Sequence, residues 1–222
     1  MARHGKPIQY AHLQSPLTLW DAWTAIAAYP VAFEPPSAGF VFDWQLLARL
    51  RDGGVGFATL THAAGISSTG DQVLDTRLPL DEPDFIPKNT VSAIAKTQAS
   101  GARVMALGTT VTRALEHAAR SPLGLRTGDG LATQRLGAQS RLRVVNAAVS
   151  GTHKPGTSHR ELLRAFTSDA VLAQADVELS ARGHLTHEFG DSVWIDKLAT
   201  RSTKTSQVSA LPRDVAAPFA RS

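Results

Sequence analysis

The stretch ARVMALGTTVTRALEHAAR, residues 102–120, decides the fold. Residues 103–107 form a short apolar run with the length of a buried strand. Gly108-Thr109-Thr110 turns straight into a helical pattern over 111–120. A strand that passes through a small-residue turn into a helix is half of a βαβ unit. Gly108 allows a ligand to approach the backbone closely. Thr109 or Thr110 can cap the helix, and the free N–H groups there attract an anion such as a carboxylate or phosphate. One turn later Arg113 and Glu116 stand three apart on one helix face. The same residues also read as a capped helix carrying a surface ion pair.

Outward from this junction the pattern alternates. On the amino-terminal side, residues 17–28 have Trp20, Trp23 and Ile26 at near-helical spacing. A second helix starts after Asp43, a capping residue, and stops at Gly53-Gly54. Residues 55–60 read as a strand and 62–87 as one long turn-rich loop, a length more often functional than idle. Residues 90–99 read as a helix ending at Gly101. On the carboxyl-terminal side, 121–140 is loop-like, 141–149 a strand, 157–167 and 169–182 helices, and 192–195 a final strand. Alternating strands and helices predict an α/β fold with a mostly parallel sheet. One α/β domain is expected over 1–196 and a disordered tail over 197–222.

Composition bounds the chemistry. The 222 residues are 43% hydrophobic and 19% charged, which excludes wholesale disorder. Cys is absent, which excludes disulfides, thiolate zinc sites and cysteine nucleophiles. No apolar run reaches the roughly 18 residues of a membrane span, and residues 1–10 lack a signal-peptide core. The expected address is cytoplasmic, with no membrane partner. The net charge of +4 comes from scattered basic residues and suits an anionic partner without demanding one. There is no GxGxxG, no phosphate-loop lysine and no GxSxG elbow.

A second strand exit leads into Ser150-Gly151-Thr152-His153 and then Pro155-Gly156-Thr157-Ser158-His159. It reads as a binding loop or as a turn with solvent-facing histidines. No carboxylate or third histidine is spaced to complete a metal site, so no metal is expected. Near the end, His187-Glu188 precede Phe189-Gly190-Asp191, a pair able to orient one another.

Taken in order, RHGKPIQY (3–10), PPSAGFVFD (35–43), LTHAAGISSTGD (60–71), ALGTTVTRALE (106–116), GTHKPGTSH (151–159) and HEFGDSVWI (187–195) resemble the S-adenosylmethionine:tRNA ribosyltransferase-isomerase family of queuosine biosynthesis. The likeness covers residues 3 to about 196 and the carboxyl-terminal part of that family's main domain. It implies transfer and isomerisation of the ribosyl moiety of S-adenosylmethionine onto a 7-aminomethyl-7-deazaguanine base in tRNA. The co-substrate pocket it implies gathers Ser37, Ala38, Gly39, Gly108, Thr109, Thr110, Arg113, Pro155, Ser158, Phe189 and Gly190. His153, Glu188 and Asp191 are its acid–base candidates, Arg113 is matched to a ligand carboxylate, and Glu116 to holding Arg113. The chain departs from the family pattern at 60–65, where His62 is shifted relative to Gly65. It departs again at Leu80, which replaces a histidine two residues before Glu82. Family members are longer, which implies a missing amino-terminal segment or a partner chain. The alternatives are an S-adenosylmethionine-dependent enzyme acting on a small molecule, and an inactive truncated remnant.

Overall fold

The computed structural model describes residues 7–8, 15–29, 31–32, 34–185 and 190–197, and the backbone of 208–210. A 3-10 turn, Ser37–Gly39, precedes α1 (Trp44–Asp52). Then come β1 (Thr61–His62), α2 (Gln72–Asp75), β2 (Glu82–Ile86), α3 (Lys88–Ala99) and β3 (Met105–Leu107). They are followed by α4 (Thr109–Ala118), β4 (Gly128–Ala132), β5 (Ala147–Gly151), α5 (Ser158–Leu163), α6 (Asp169–Ala181), β6 (Ser192–Asp196) and β7 (Val208–Ala210). Side-chain caps set several helix starts, since each satisfies an otherwise orphaned N–H. Asp43 accepts from Leu46 N at 2.6 Å, Thr157 from Arg160 N at 3.2 Å and Ser168 from Val171 N at 3.4 Å.

Two sheets form. The first has the order β1-β2-β4 with both pairs antiparallel. The second has the order β3-β5-β6-β7, in which β3 and β5 are parallel and the other pairs antiparallel. The α/β alternation is realised, and parallel pairing is confined to β3 and β5, narrower than expected. Strand β6 follows α5 and α6 and pairs with β5 in the opposite sense.

Other expectations are corrected. Residues 17–28 hold isolated turns, with Trp23 N bonded to Trp20 O and Ala27 N to Thr24 O, and Trp20 is 72% exposed. Residues 55–60 form no strand, and the ladder begins only at Thr61. The stretches read as loops, 62–87 and 121–140, contain β2 and β4. The strand read at 141–149 is 147–151. Residues 208–210, inside the expected disordered tail, pair with β6.

Helix α4 is the hub: seven of its ten residues are buried, and it packs against β1 and β4 on one side and β3 and β5 on the other. The core around it draws Ile86 from the first sheet, Ala148, Val193 and Ile195 from the second, and Leu163, Phe166 and Leu172 from α5, α6 and the link between them. The amino end of α4 therefore lies where the two sheets meet.

Candidate functional site

A cleft opens at that end. Its walls come from 34–38, 64–66, Pro79 and Glu82, 107–110 with Arg113, and 150–162 through Ser150, Gly151, His153, Ser158, His159 and Leu162. Gly108 makes the junction possible. Its φ is +101°, a region costly to any residue with a Cβ, and its N–H donates to Val149 O at 2.8 Å. Gly108 is itself the N-cap, with no side chain capping the helix. The expected Thr109 or Thr110 cap is thus corrected, because both threonines lie inside the first turn. The N–H groups of Thr109, Thr110 and Val111 have no acceptor within the helix, whose ladder opens with Thr112 N to Gly108 O at 3.3 Å.

Arg113 and Glu116 are both buried, and they do not pair with one another. Arg113 is 3% exposed. Its Nη1 forms a short ion pair with Glu82 Oε2, Nη2 donates to Leu80 O and Nε to Gln134 O, both at 2.8 Å. Glu116 accepts instead from three backbone N–H groups, Arg143 (2.6 Å), Val144 (2.9 Å) and Val145 (2.8 Å). It fixes the entry to β5 and does not hold Arg113.

Glu82 sits at the centre of the buried polar side. Its Oε1 accepts from Gly65 N at 2.6 Å, and a Cβ on Gly65 would stand 3.3 Å from that oxygen. His62 Nε2 lies 3.5 Å from Glu82 Oε2, and Asp84, paired with Arg126, stands opposite His62 in the ladder. Strand β2 has reversed polarity: Glu82, Asp84 and Ile86 face inward while Pro83 and Phe85 face out. Glu34 lines the cleft from the other wall, its Oε1 accepting from Ser67 N (2.8 Å) and Ser67 Oγ (2.7 Å).

His153 Nε2 and Ser150 Oγ share a hydrogen bond of 3.2 Å, and the His153 ring meets His159 edge-on with centroids 4.5 Å apart. Burial, helped by His159 and Arg160, pushes the His153 pKa down to about 3. This imidazole is neutral at pH 7. It can orient a hydroxyl, but it is a weak base and does not arrive protonated as an acid.

The structure thus brings Ser37, Ala38, Gly108, Thr109, Thr110, Arg113, His153 and Ser158 to one cleft. Gly39 sits behind that wall, where a Cβ would strike Ile26 at 2.8 Å. Pro155 and Gly190 are outside the lining, as is Asp191. Asp191 accepts from Leu185 N at 2.8 Å and lies 3.1 Å from His184 Nδ1, closing a turn. Glu188 and Phe189 lie outside the described residues. Sequence reasoning missed Glu34 as a wall residue and Glu82 as the partner of Arg113. For Glu82 the readable signal was a carboxylate pair at strand spacing. Among the described residues no cluster of three or more His, Asp or Glu is placed to hold a metal, and no helix is long and apolar enough to cross a membrane.

Burial, as the main cause, also lowers His62 and His117 below the ordinary imidazole range. Below pH 6.5 the unfolded chain therefore binds more protons than the folded one. Stability is full above that pH and falls as pH drops toward 3. For His153 alone the loss at pH 5 is at most about 2 kcal/mol. Thermal melts from pH 7.5 to 4.5 are expected to show a falling Tm, and His153→Gln to flatten the fall. An identical slope in the variant would refute the assignment.

Fold and cleft together define an α/β protein with a cleft at a strand-to-helix junction. The chain belongs to the queuosine biosynthesis protein family, whose model matches residues 3–195. It is 33% identical over 203 residues to the S-adenosylmethionine:tRNA ribosyltransferase-isomerase of Pelobacter propionicus, covering 88% of this chain and 59% of that protein. It is 32% identical to the enzyme of the same name from Thermus thermophilus, covering 78% of this chain and 50% of the relative. The crystal structure of S-adenosylmethionine tRNA ribosyltransferase from Thermotoga maritima superposes with a TM-score of 0.57 at 26% identity, over 71% of this chain and 50% of that one. The chain therefore spans about half the length of the relatives it matches.

Proposed function

We propose that this chain binds S-adenosylmethionine in the cleft at the amino end of α4. Its proposed activity is that of a ribosyltransferase-isomerase, passing the ribosyl moiety to a 7-aminomethyl-7-deazaguanine base in tRNA. One observation carries the reading: four separate family-matching segments, 35–43, 60–71, 106–116 and 151–159, all reach a single cleft. Each lining group has a place in that reading. The open N–H groups of Thr109 and Thr110 suit the ligand's carboxylate or ribose hydroxyls. Ser150 and neutral His153 supply paired donors and acceptors for a hydroxyl or a purine nitrogen. Arg113 acts on the ligand through Glu82, since its nitrogens are bonded to Glu82, Leu80 and Gln134. Glu188 and Asp191 remain proposed acid–base groups, and Pro155, Phe189 and Gly190 proposed contacts of the co-substrate.

The test uses the 222-residue chain with S-adenosylmethionine, followed by tRNA carrying the 7-aminomethyl-7-deazaguanine base. At about 100 times its Kd the ligand is expected to stabilise the chain by about 2.7 kcal/mol. That is a rise in Tm of several degrees. Ribose-labelled S-adenosylmethionine is then expected to label the tRNA. No shift in Tm would overturn the reading. A shift without tRNA labelling would leave ligand binding standing and remove the transferase activity from this chain.

A further inference from the structure

The charges around the cleft do not balance. Among the described residues, its lining holds two carboxylates, Glu34 and Glu82, and a single guanidinium, Arg113. Arg113 is ion-paired to Glu82, which leaves that pair neutral. Glu34 has no cationic partner among the described residues. Its two hydrogen bonds come from neutral donors of Ser67, and both fall on Oε1. His153 adds no positive charge, because burial keeps its ring neutral. The amino end of α4 supplies about half a positive elementary charge, which offsets Glu34 only in part. A cleft of net negative charge with one uncompensated carboxylate is complementary to a cation.

We infer that Glu34 is a specificity-determining residue of this cleft, selecting a positively charged sulfonium ligand over its neutral thioether analogue. The inference rests on the reading that S-adenosylmethionine is the ligand, and it adds which residue reads the ligand's charge. The two molecules differ by one methyl group and one unit of charge, so contacts to adenine, ribose and the amino-acid end are common to both. A hydrophobic contact to one methyl can itself be worth roughly 10–200-fold, but that contribution is insensitive to salt and to the charge at position 34. A partly exposed carboxylate discriminates through charge, and its contribution falls as salt rises. Gln at position 34 keeps a carbonyl oxygen able to accept both Ser67 bonds, so Glu34→Gln removes the charge and leaves the wall in place.

The experiment is calorimetric titration of the full chain with S-adenosylmethionine and, separately, S-adenosylhomocysteine. It is run at pH 8, above the ordinary imidazole pKa of about 6.5, so that carboxylates and Arg113 set the charge. The wild-type chain is expected to prefer the sulfonium compound at least tenfold in 20 mM salt, with the preference shrinking in 500 mM salt. Glu34→Gln is expected to reduce it below about threefold, mainly by weakening the sulfonium compound. Glu34→Asp, which restores the charge, is expected to recover part of the preference. Equal affinities in the wild type, or an unchanged ratio in Glu34→Gln, would overturn the inference while the binding reading stands. Failure of both ligands to bind the wild type would overturn the binding reading, and this inference with it.

Discussion

Replacing Arg113 by Ala is expected to cost about 3–5 kcal/mol of folding free energy, because it leaves the Glu82 carboxylate buried without its counter-ion. The loss goes beyond the ion pair. Leu80 O and Gln134 O each lose a donor, and both belong to segments that bridge α4 to the first sheet. A chain of this size commonly has only about 5–15 kcal/mol of stability, so the variant is expected to melt about 6–20 °C lower or without cooperativity. The double change Arg113→Met with Glu82→Gln removes both charges together and is expected to recover a large part of the loss. That recovery distinguishes two roles for Arg113. A residue that only gripped a ligand carboxylate would, on removal, weaken ligand binding and leave the melt of the unliganded chain unchanged. Urea unfolding of the wild type, Arg113→Met, Glu82→Gln and the double variant gives the coupling energy directly. A coupling below about 0.5 kcal/mol would mean that the pair does not hold the cleft.

The local grammar of this chain was readable, and its long-range grammar was not. Residues 103–118 announce a strand, a glycine turn and a helix because all the relevant forces are local: an apolar run, a residue free at φ +101° and a 3.6-residue period. The cap at Asp43 was legible for the same reason. Strands β2 and β4 were not. Glu-Pro-Asp-Phe-Ile and Gly-Asp-Gly-Leu-Ala are poor strand formers by composition. They become strands through their mutual pairing, Glu82 with Ala132 through Ile86 with Gly128. The inward faces of Glu82 and Asp84 are tolerated because Arg113 and Arg126 reach them from elsewhere in the chain. Candidate site residues divide along the same line. Gly108, Thr109 and Thr110 were visible at their junction. Glu34 and Glu82 are carried into the cleft by contacts over 33 and 17 positions, to Ser67 and to Gly65, which no window of sequence displays.

Glu116 presents the strongest contrast between spacing and structure, and an expected effect as large as that of Arg113. Its place three residues after Arg113 suggests a surface pair, worth a few tenths of a kcal/mol. In the fold it is 2% exposed, and its carboxylate closes three backbone N–H groups that lead into β5. Hydrogen bonds to a charged acceptor contribute about 1.5–3 kcal/mol each, and a buried donor left without a partner costs about 1–3 kcal/mol. Glu116→Ala is therefore expected to destabilise the chain by about 3–6 kcal/mol, the three N–H groups sharing one acceptor and adding less than independently. Glu116→Gln keeps one acceptor oxygen and turns an amide donor toward the remaining N–H, so an intermediate loss of about 2–3 kcal/mol is expected. The readout that separates this role from generic core damage is amide hydrogen exchange. Loss of the Glu116 acceptor is expected to deprotect Arg143, Val144 and Val145 before the strand pairs of β5, whose own ladder to β3 and β6 does not pass through Glu116. Uniform deprotection of the whole second sheet, with those three amides no faster than the rest, would reject the anchoring role. The distinction bears on the cleft because Ser150 and Gly151 lie at the far end of the strand that Glu116 starts. A β5 entered in a shifted register would carry the Ser150–His153 contact out of the wall, and ligand binding would fail along with the anchor.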